Sequence, residues 1–288
     1  MIGKNFYISQ FPEALFEVTN KDRFKEKVSL GFDICKKTNI VFCGMCRDIN
    51  NLLETSLARV YKTCSFFNEH RILILENDST DGTSERLSEL VDGNDKVKLI
   101  NPVLEDKKYY RSEGDEATSF DRVAKMATIR NLYLDEIQNY ENIDYVIIAD
   151  LDIEGGWSYE GLLSSFGYDG WSAMTSNGIK LRNELNKGFL FFDTWTFREL
   201  GVDKFEGYLK YDSLQFQKGE EPVEVNSNFG GFGIYRYKDI LNCEYRPFSQ
   251  TEDVCCEHVS LHEQMRYNGG KIFINPSLTA LYSPTEYS

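Results

Sequence analysis

Five hydrophobic residues, Tyr145-Val146-Ile147-Ile148-Ala149, run without interruption into Asp150-Leu151-Asp152. This junction constrains the fold more than any other stretch. A strand exposed on one face alternates apolar and polar side chains. A run without alternation belongs to a strand buried on both faces, as in a parallel sheet covered by helices. Side chains alternate along a strand, so Asp150 and Asp152 are expected to point the same way from its carboxyl end. That edge is where open α/β sheets bind ligands. Two carboxylates there suit a hard divalent cation bridging to phosphate oxygens.

The flanking sequence keeps the same rhythm. Residues 39–43, 71–75 and 97–100 read as strands, and 50–67, 81–90 and 120–139 as helices. Leu53, Leu57, Val60 and Tyr61 recur at helical spacing, as do Val123, Met126, Ala127 and Leu134. Strand and helix in alternation predict an α/β fold with a largely parallel central sheet flanked by helices. The second half is less regular. Residues 171–175 read as a strand, 177–222 as loop-rich and aromatic, 228–235 as Gly-rich, 255–268 as a helix, and 271–274 as a strand stopped by Pro276. Residues 1–38 mix charge and Phe without a clear period and read as an N-terminal extension packed on the domain. No linker interrupts 39–288, which predicts a single domain with halves at 39–152 and 153–288.

The formal charge is −14 and the pI about 4.8. A nucleic-acid-binding face needs a basic stripe, and none is present, so no nucleic-acid partner is expected. An anionic ligand would need a metal, a few basic side chains or a helix N-terminus. No stretch approaches the roughly 18–20 apolar residues of a membrane span, which predicts no transmembrane segment. The polar first residues do not read as a signal peptide. Seven cysteines, an odd number, suit a reducing compartment. A soluble cytoplasmic protein is the expectation, with peripheral membrane association left open.

Five constellations carry candidate chemistry. Glu76-Asn77-Asp78-Ser79-Thr80-Asp81-Gly82-Thr83 follows the second strand as a tight turn into a helix; its acids suit a base or ribose, and it equally reads as a capped turn. Asp150-Leu151-Asp152 is the second. An EF-hand reading fails because a strand precedes it where a helix should and Gly161 stands where the loop needs Glu. Glu257-His258 with His262 is the third. The two His share a helix face and read as metal ligands, as proton acceptors or as a solvated pair. Cys43-Gly44-Met45-Cys46 imitates a redox motif, but reads better as small residues letting a ligand approach a strand end. Asn228-Phe229-Gly230-Gly231-Phe232-Gly233 permits close backbone approach to a ligand, and 189–195 (FLFFDTW) adds Asp193 and Trp195.

Taken in order, these motifs resemble a GT-A (Rossmann-like) glycosyltransferase over 39–282. The acidic turn is similar to D-D-G-S-T-D-G-T, Asp150-Leu151-Asp152 to the metal-binding D-x-D, and Arg130-Asn131 to the Arg-Asn on the preceding helix. Glu257-His258-Val259-Ser260-Leu261, with Gly269, Gly270, Ile272 and Pro276, resembles the late E-D-v-d-L…G…i…P segment. Glu76-Asn77-Asp78-Ser79 and 193–198 (DTWTFR) most resemble the cryptococcal capsule-associated α-mannosyltransferase group. His258 stands where the commoner pattern has the Asp that serves inverting members as base.

The resemblance implies a UDP- or GDP-sugar donor, a glycan or glycoside acceptor, and Mn2+ or Mg2+ held by Asp150, Asp152 and His258. It implies a donor site at Gly44, Arg47, Glu76, Asn77, Asp78, Arg130, Asn131, Asp150 and Leu151. Lys180 and Arg182 are further phosphate candidates. The acceptor would meet Asp193, Trp195, Gly230 and Gly231 in an irregular second half, and Glu257 or His258 would be catalytic. A sugar nucleotidyltransferase is an alternative, although 43–47 lacks its Gly-rich basic loop. A catalytically silent nucleotide- or glycan-binding module is another.

Overall fold

A computed structural model describes residues 11–102, 118–181 and 188–282. The elements run α1 (Lys21–Cys35), β1 (Asn39–Cys46), α2 (Leu53–Cys64), β2 (Glu69–Glu76), α3 (Thr83–Val91), β3 (Val97–Ile100), α4 (Phe120–Ile137) and β4 (Tyr145–Asp150). They continue with β5 (Gly156–Trp157), α5 (Tyr159–Phe166), β6 (Ala173–Leu181), β7 (Phe189–Phe191), β8 (Arg198–Glu199), α6 (Tyr208–Tyr211), β9 (Val223–Ser227), β10 (Phe232–Arg236), α7 (Tyr237–Ile240), α8 (Glu257–Tyr267) and β11 (Ile272–Leu281).

The expected central sheet is present, flanked by helices. Its order is β3-β2-β1-β4-β10-β6-β11-β9-β8. Strands β3, β2, β1 and β4 are parallel, as are β6 and β11. Strand β10 lies antiparallel between β4 and β6 and joins the two parallel groups. Alternate residues feed opposite cores. Ile40, Phe42, Ile72, Ile74 and Ile147 pack with α2 and α3 residues and with Trp157 and Trp171. Val41, Cys43, Leu73, Leu75, Val146 and Ile148 pack with α4 and α8 residues. Burial on both faces explains the unbroken apolar runs.

The sequence reading departs from the structure in three places. Residues 21–35 are a helix, capped where the Asn20 side chain accepts from the Arg23 amide. Its buried residues are Phe24, Gly31 and Cys35, a stripe too thin to register as amphipathic. Strand β11 runs through Pro276 instead of stopping there, because its register against β6 shifts between Asn275 and Thr279. A bulge frees the position that Pro cannot pair. The Asn275 amide fills the bulge by donating to the Gly161 carbonyl and to the Ser164 and Ser165 hydroxyls. The segment 177–222, read as loop, contributes the end of β6 and strands β7 and β8.

The amino-terminal segment is laced to the body. The Lys218 ammonium, 5 % exposed, pairs with Glu13 and Glu160 at 2.7 Å each. Helix α1 lies on α5, where a Cβ on Gly31 would sit 1.7 Å from the Leu163 carbonyl oxygen. Ala in place of an exposed helical Gly gains about 1 kcal/mol. Here the sign reverses: Gly31→Ala should destabilise by about 1–3 kcal/mol through overpacking against backbone, read as a lower melting temperature.

Candidate active site

The carboxyl ends of β1 and β4 open into one cavity of about 1260 Å3. Asp150 and Asp152 both line it. So do Arg47 and Asn77 from the loops after β1 and β2, Asp193 and Trp195 from the loop after β7, and Glu257 and His258 from the start of α8. Strand β4 ends at Asp150, so Asp152 stands in the turn beyond it, exposed to the cavity. Alternation along the strand therefore does not by itself bring the two carboxylates to one cavity. The turn does, and it is pinned from below. The Leu151 amide donates to the Met45 carbonyl, and the Ser56 hydroxyl donates to the Leu151 carbonyl at 2.6 Å. Arg59 of α2 donates to the carbonyls of Ile153 and Glu154 at 2.6 and 2.7 Å.

Arg130 on α4 forms the floor. Its Nε donates to Glu257 Oε1 and its NH2 group to Asp150 Oδ1, both at 2.9 Å. The residue is 3 % exposed. Burial disfavours its charge, but Asp150, Tyr133 and Glu257 outweigh that and hold the guanidinium pKa well above its usual range. Burial raises the Asp150 pKa; Arg130 opposes the rise and Glu257 adds to it. Burial, then the charges of Glu257 and Asp150, push the Asp193 carboxyl up to about 7, and the Arg130 charge is only a minor influence on it.

The acidic turn after β2 is latched to the loop after β1. Asp48 accepts from the Thr80 amide, Asp81 from the Asn50 amide, and Glu76 from the Ser79 amide. Asp78 pairs with Lys125 at 3.1 Å. Of this turn Asn77 lines the cavity, whereas Glu76 and Asp78 do not.

The two histidines of α8 part company. His258 stacks on Phe229 with ring centroids 3.7 Å apart and lines the cavity. Neither of its buried ring nitrogens has a hydrogen-bond partner among the described residues. Burial and the Arg130 charge press its pKa well below 6.5. His262 is a satisfied core residue, with Ser227 Oγ 2.9 Å from Nδ1 and Tyr235 OH 3.1 Å from Nε2.

Residues 39–263 match the family described as Cryptococcal mannosyltransferase 1. The chain belongs to that family. It is thus a member of a glycosyltransferase family, and the resemblance read from its motifs holds. No curated protein matches it in sequence. Among solved structures, GalNAc-T7 with UDP, GalNAc and Mn2+ is similar at 12 % identity and TM-score 0.48, over 88 % of this chain and 45 % of that one. The mannosyltransferase PcManGT from Pyrobaculum calidifontis, in complex with GDP-Man and Mn2+, is similar at 10 % identity and TM-score 0.49, over 93 % of this chain and 68 % of that one. The chain spans less than half the length of the first. Among the described residues no helix is long and apolar enough to cross a membrane.

Several expected site residues pack against other protein groups in this family member. Gly44 and Leu151 do not face the cavity. They pack on each other, and a Cβ on Gly44 would lie 2.8 Å from Leu151 Cδ1. Gly230 and Gly231 adopt φ of 62° and 86°, a region that favours glycine. Their close neighbours are protein: a Cβ would meet the Ser176 carbonyl at 2.6 Å and the Tyr282 hydroxyl at 2.0 Å. Asn131 clamps Tyr245, donating to its carbonyl at 3.0 Å and accepting from its amide at 2.8 Å. Lys180 is exposed and outside the cavity lining, and Arg182 falls outside the described residues. Among the described residues no three His, Cys, Asp or Glu side chains converge as a metal cage.

Cys43 and Cys46 face opposite cores, and burial raises both thiol pKa values. Neither reads as redox-active. Arg122, Lys125, Tyr208, Cys256 and Tyr282 line the cavity without having stood out in the sequence. The spacing of Arg122, Lys125, Ile129 and Arg130 along one face of α4 is the signal that could have found the first two.

Burial holds His262 near a pKa of about 3, against 6.5 for an open imidazole. The unfolded chain therefore takes up a proton that the folded chain refuses, so this contribution to stability is complete above pH 6.5 and is lost as pH falls from there toward about 3. The melting temperature should fall across that window, and His262→Gln should flatten the fall.

Proposed function

We propose that this protein transfers a glycosyl residue from a UDP- or GDP-sugar to a hydroxyl of a glycan or glycoside, with Mn2+ or Mg2+ in the cavity. Family membership supports mannose as the transferred sugar. The observation that carries the reading is the pairing of Asp150 and Asp152 at the mouth of β4 with Glu257 across the same cavity. Asp152 stands open to the cavity, and Asp150 keeps a second oxygen beside the one bound to Arg130. Such a donor set fits an ion that takes one or two carboxylates and completes its shell with diphosphate oxygens and water. When bound, the ion neutralises the charge that develops on the departing diphosphate.

The chain's own residues do the rest. Asn77 and the latched acidic turn offer hydrogen bonds to the base and ribose. Arg47 and Lys125 lend positive charge to an otherwise acidic protein. Glu257, fixed by Arg130, meets the acceptor hydroxyl. Trp195 offers an apolar face to a sugar ring, and Asp193 a hydrogen bond. His258, stacked on Phe229, lines the same cavity. Residues 39–152 form the donor half and 153–288 the acceptor half. Seven free, buried thiols support a reducing compartment such as the cytoplasm.

Asp152→Ala should lower transfer from UDP- or GDP-sugars at least about 100-fold while leaving the circular dichroism spectrum and melting temperature in place. EDTA should abolish wild-type transfer and added Mn2+ restore it. Undiminished transfer in the variant would sink the metal assignment.

A further inference from the structure

The cavity floor departs from what the motif implies. An arginine beside a D-x-D pair in a sugar-nucleotide site reads as a phosphate ligand. We propose instead that Arg130 is a positioning residue, which sets the separation and orientation of the metal-side carboxylate Asp150 and the acceptor-side carboxylate Glu257. The inference rests on the reading of this cavity as a glycosyl-transfer site.

Four observations carry it. Each guanidinium nitrogen is already engaged: Nε with Glu257 and the NH2 group with Asp150, both at 2.9 Å, and the NH1 group with the Tyr133 hydroxyl at 3.4 Å. The group is 3 % exposed and lies near the rings of Phe229 and Tyr245, at 5.3 and 6.0 Å from their centroids. Its two short bonds both go to carboxylates, which leaves little of the guanidinium for a phosphate. The surroundings are themselves fixed, because Asn131 clamps the Tyr245 backbone and Tyr133 donates to the Tyr245 hydroxyl at 3.0 Å. Finally, the two carboxylates come from the end of β4 and the start of α8, elements far apart in sequence, and an unbridged buried pair of anions would repel.

A planar fork suits this task. Two of its nitrogens address two carboxylates at a set angle, which a single ammonium cannot reproduce. Metal position therefore depends on acceptor position through one side chain. Loss of that geometry should impair transfer to the acceptor more than it impairs nucleotide binding.

The test compares wild type with Arg130→Lys in Mn2+, using UDP- and GDP-sugars, with UDP and GDP as calorimetric probes. A misplacement of about 1 Å costs about 100-fold in rate. The variant should bind the nucleotide as wild type does, lose about that factor in kcat for transfer, and hydrolyse donor more often per transfer. Weakened nucleotide binding with kcat retained would instead make Arg130 a phosphate ligand and overturn the proposal, as would an unchanged kcat. Should the Lys variant not fold, Asp150→Asn, Glu257→Gln and their double variant decide the matter with Arg130 intact. Non-additive losses in kcat support the shared bridge, and additive losses overturn it. A wild-type protein that transfers from neither donor class overturns the glycosyl-transfer reading itself, whatever the variants bind.

Discussion

One buried cation organises this site. The cavity gathers Asp150, Glu257 and Asp193, and Arg130 bonds two of them. Its charge opposes the rise that burial imposes on the Asp150 pKa, and it ties the end of β4 to the start of α8. The surrounding contacts serve that guanidinium. Tyr133 and Asn131 fix the helix that carries it, and Phe229 supplies an apolar wall on which His258 also stacks. Burial with its acidic neighbours holds the Asp193 carboxyl up, and Arg130 acts on it only through space.

A second layer keeps the loops in place. The turn after β4 is gripped by Ser56 and Arg59 of α2, and the turn after β2 is latched to the loop after β1 through Asp48 and Asp81. Protein contacts alone therefore hold this edge of the sheet. Preorganisation of this kind lowers the ordering cost of binding.

The parallel half of the sheet was legible because its strands are buried on both faces and so appear as unbroken apolar runs. The D-x-D pair, the acidic turn and the late acidic segment were legible as residue types at strand and helix ends. Partners were not. Asn131 looks the same in sequence whether its amide meets a ribose or the Tyr245 backbone. Gly230 and Gly231 announce close approach but not what approaches. Arg59, Arg122 and Lys125 sit in helices, where charge ordinarily marks a solvated face. Helix α1 hid because the centre of its buried stripe is Gly31, and the passage of β11 through Pro276 hid because a bulge cannot be read from the proline alone.

Strand β10 has a consequence for how the chain is made. It is the antiparallel bridge between β4 and β6, yet it arrives some eighty residues after β4 in sequence. Until residues 232–236 emerge from a ribosome, the inner edge of β4 is bare and apolar, with its ladder groups unpaired. Exposed edges of that kind are templates for wrong pairing, and pairing over long sequence separation is slow. The Asp150 backbone amide, which finally bonds to the Gly231 carbonyl, is thus completed late in synthesis. Strands β1 to β4 can form early, but their carboxylate edge reaches its final shape only when the last third of the protein closes over it.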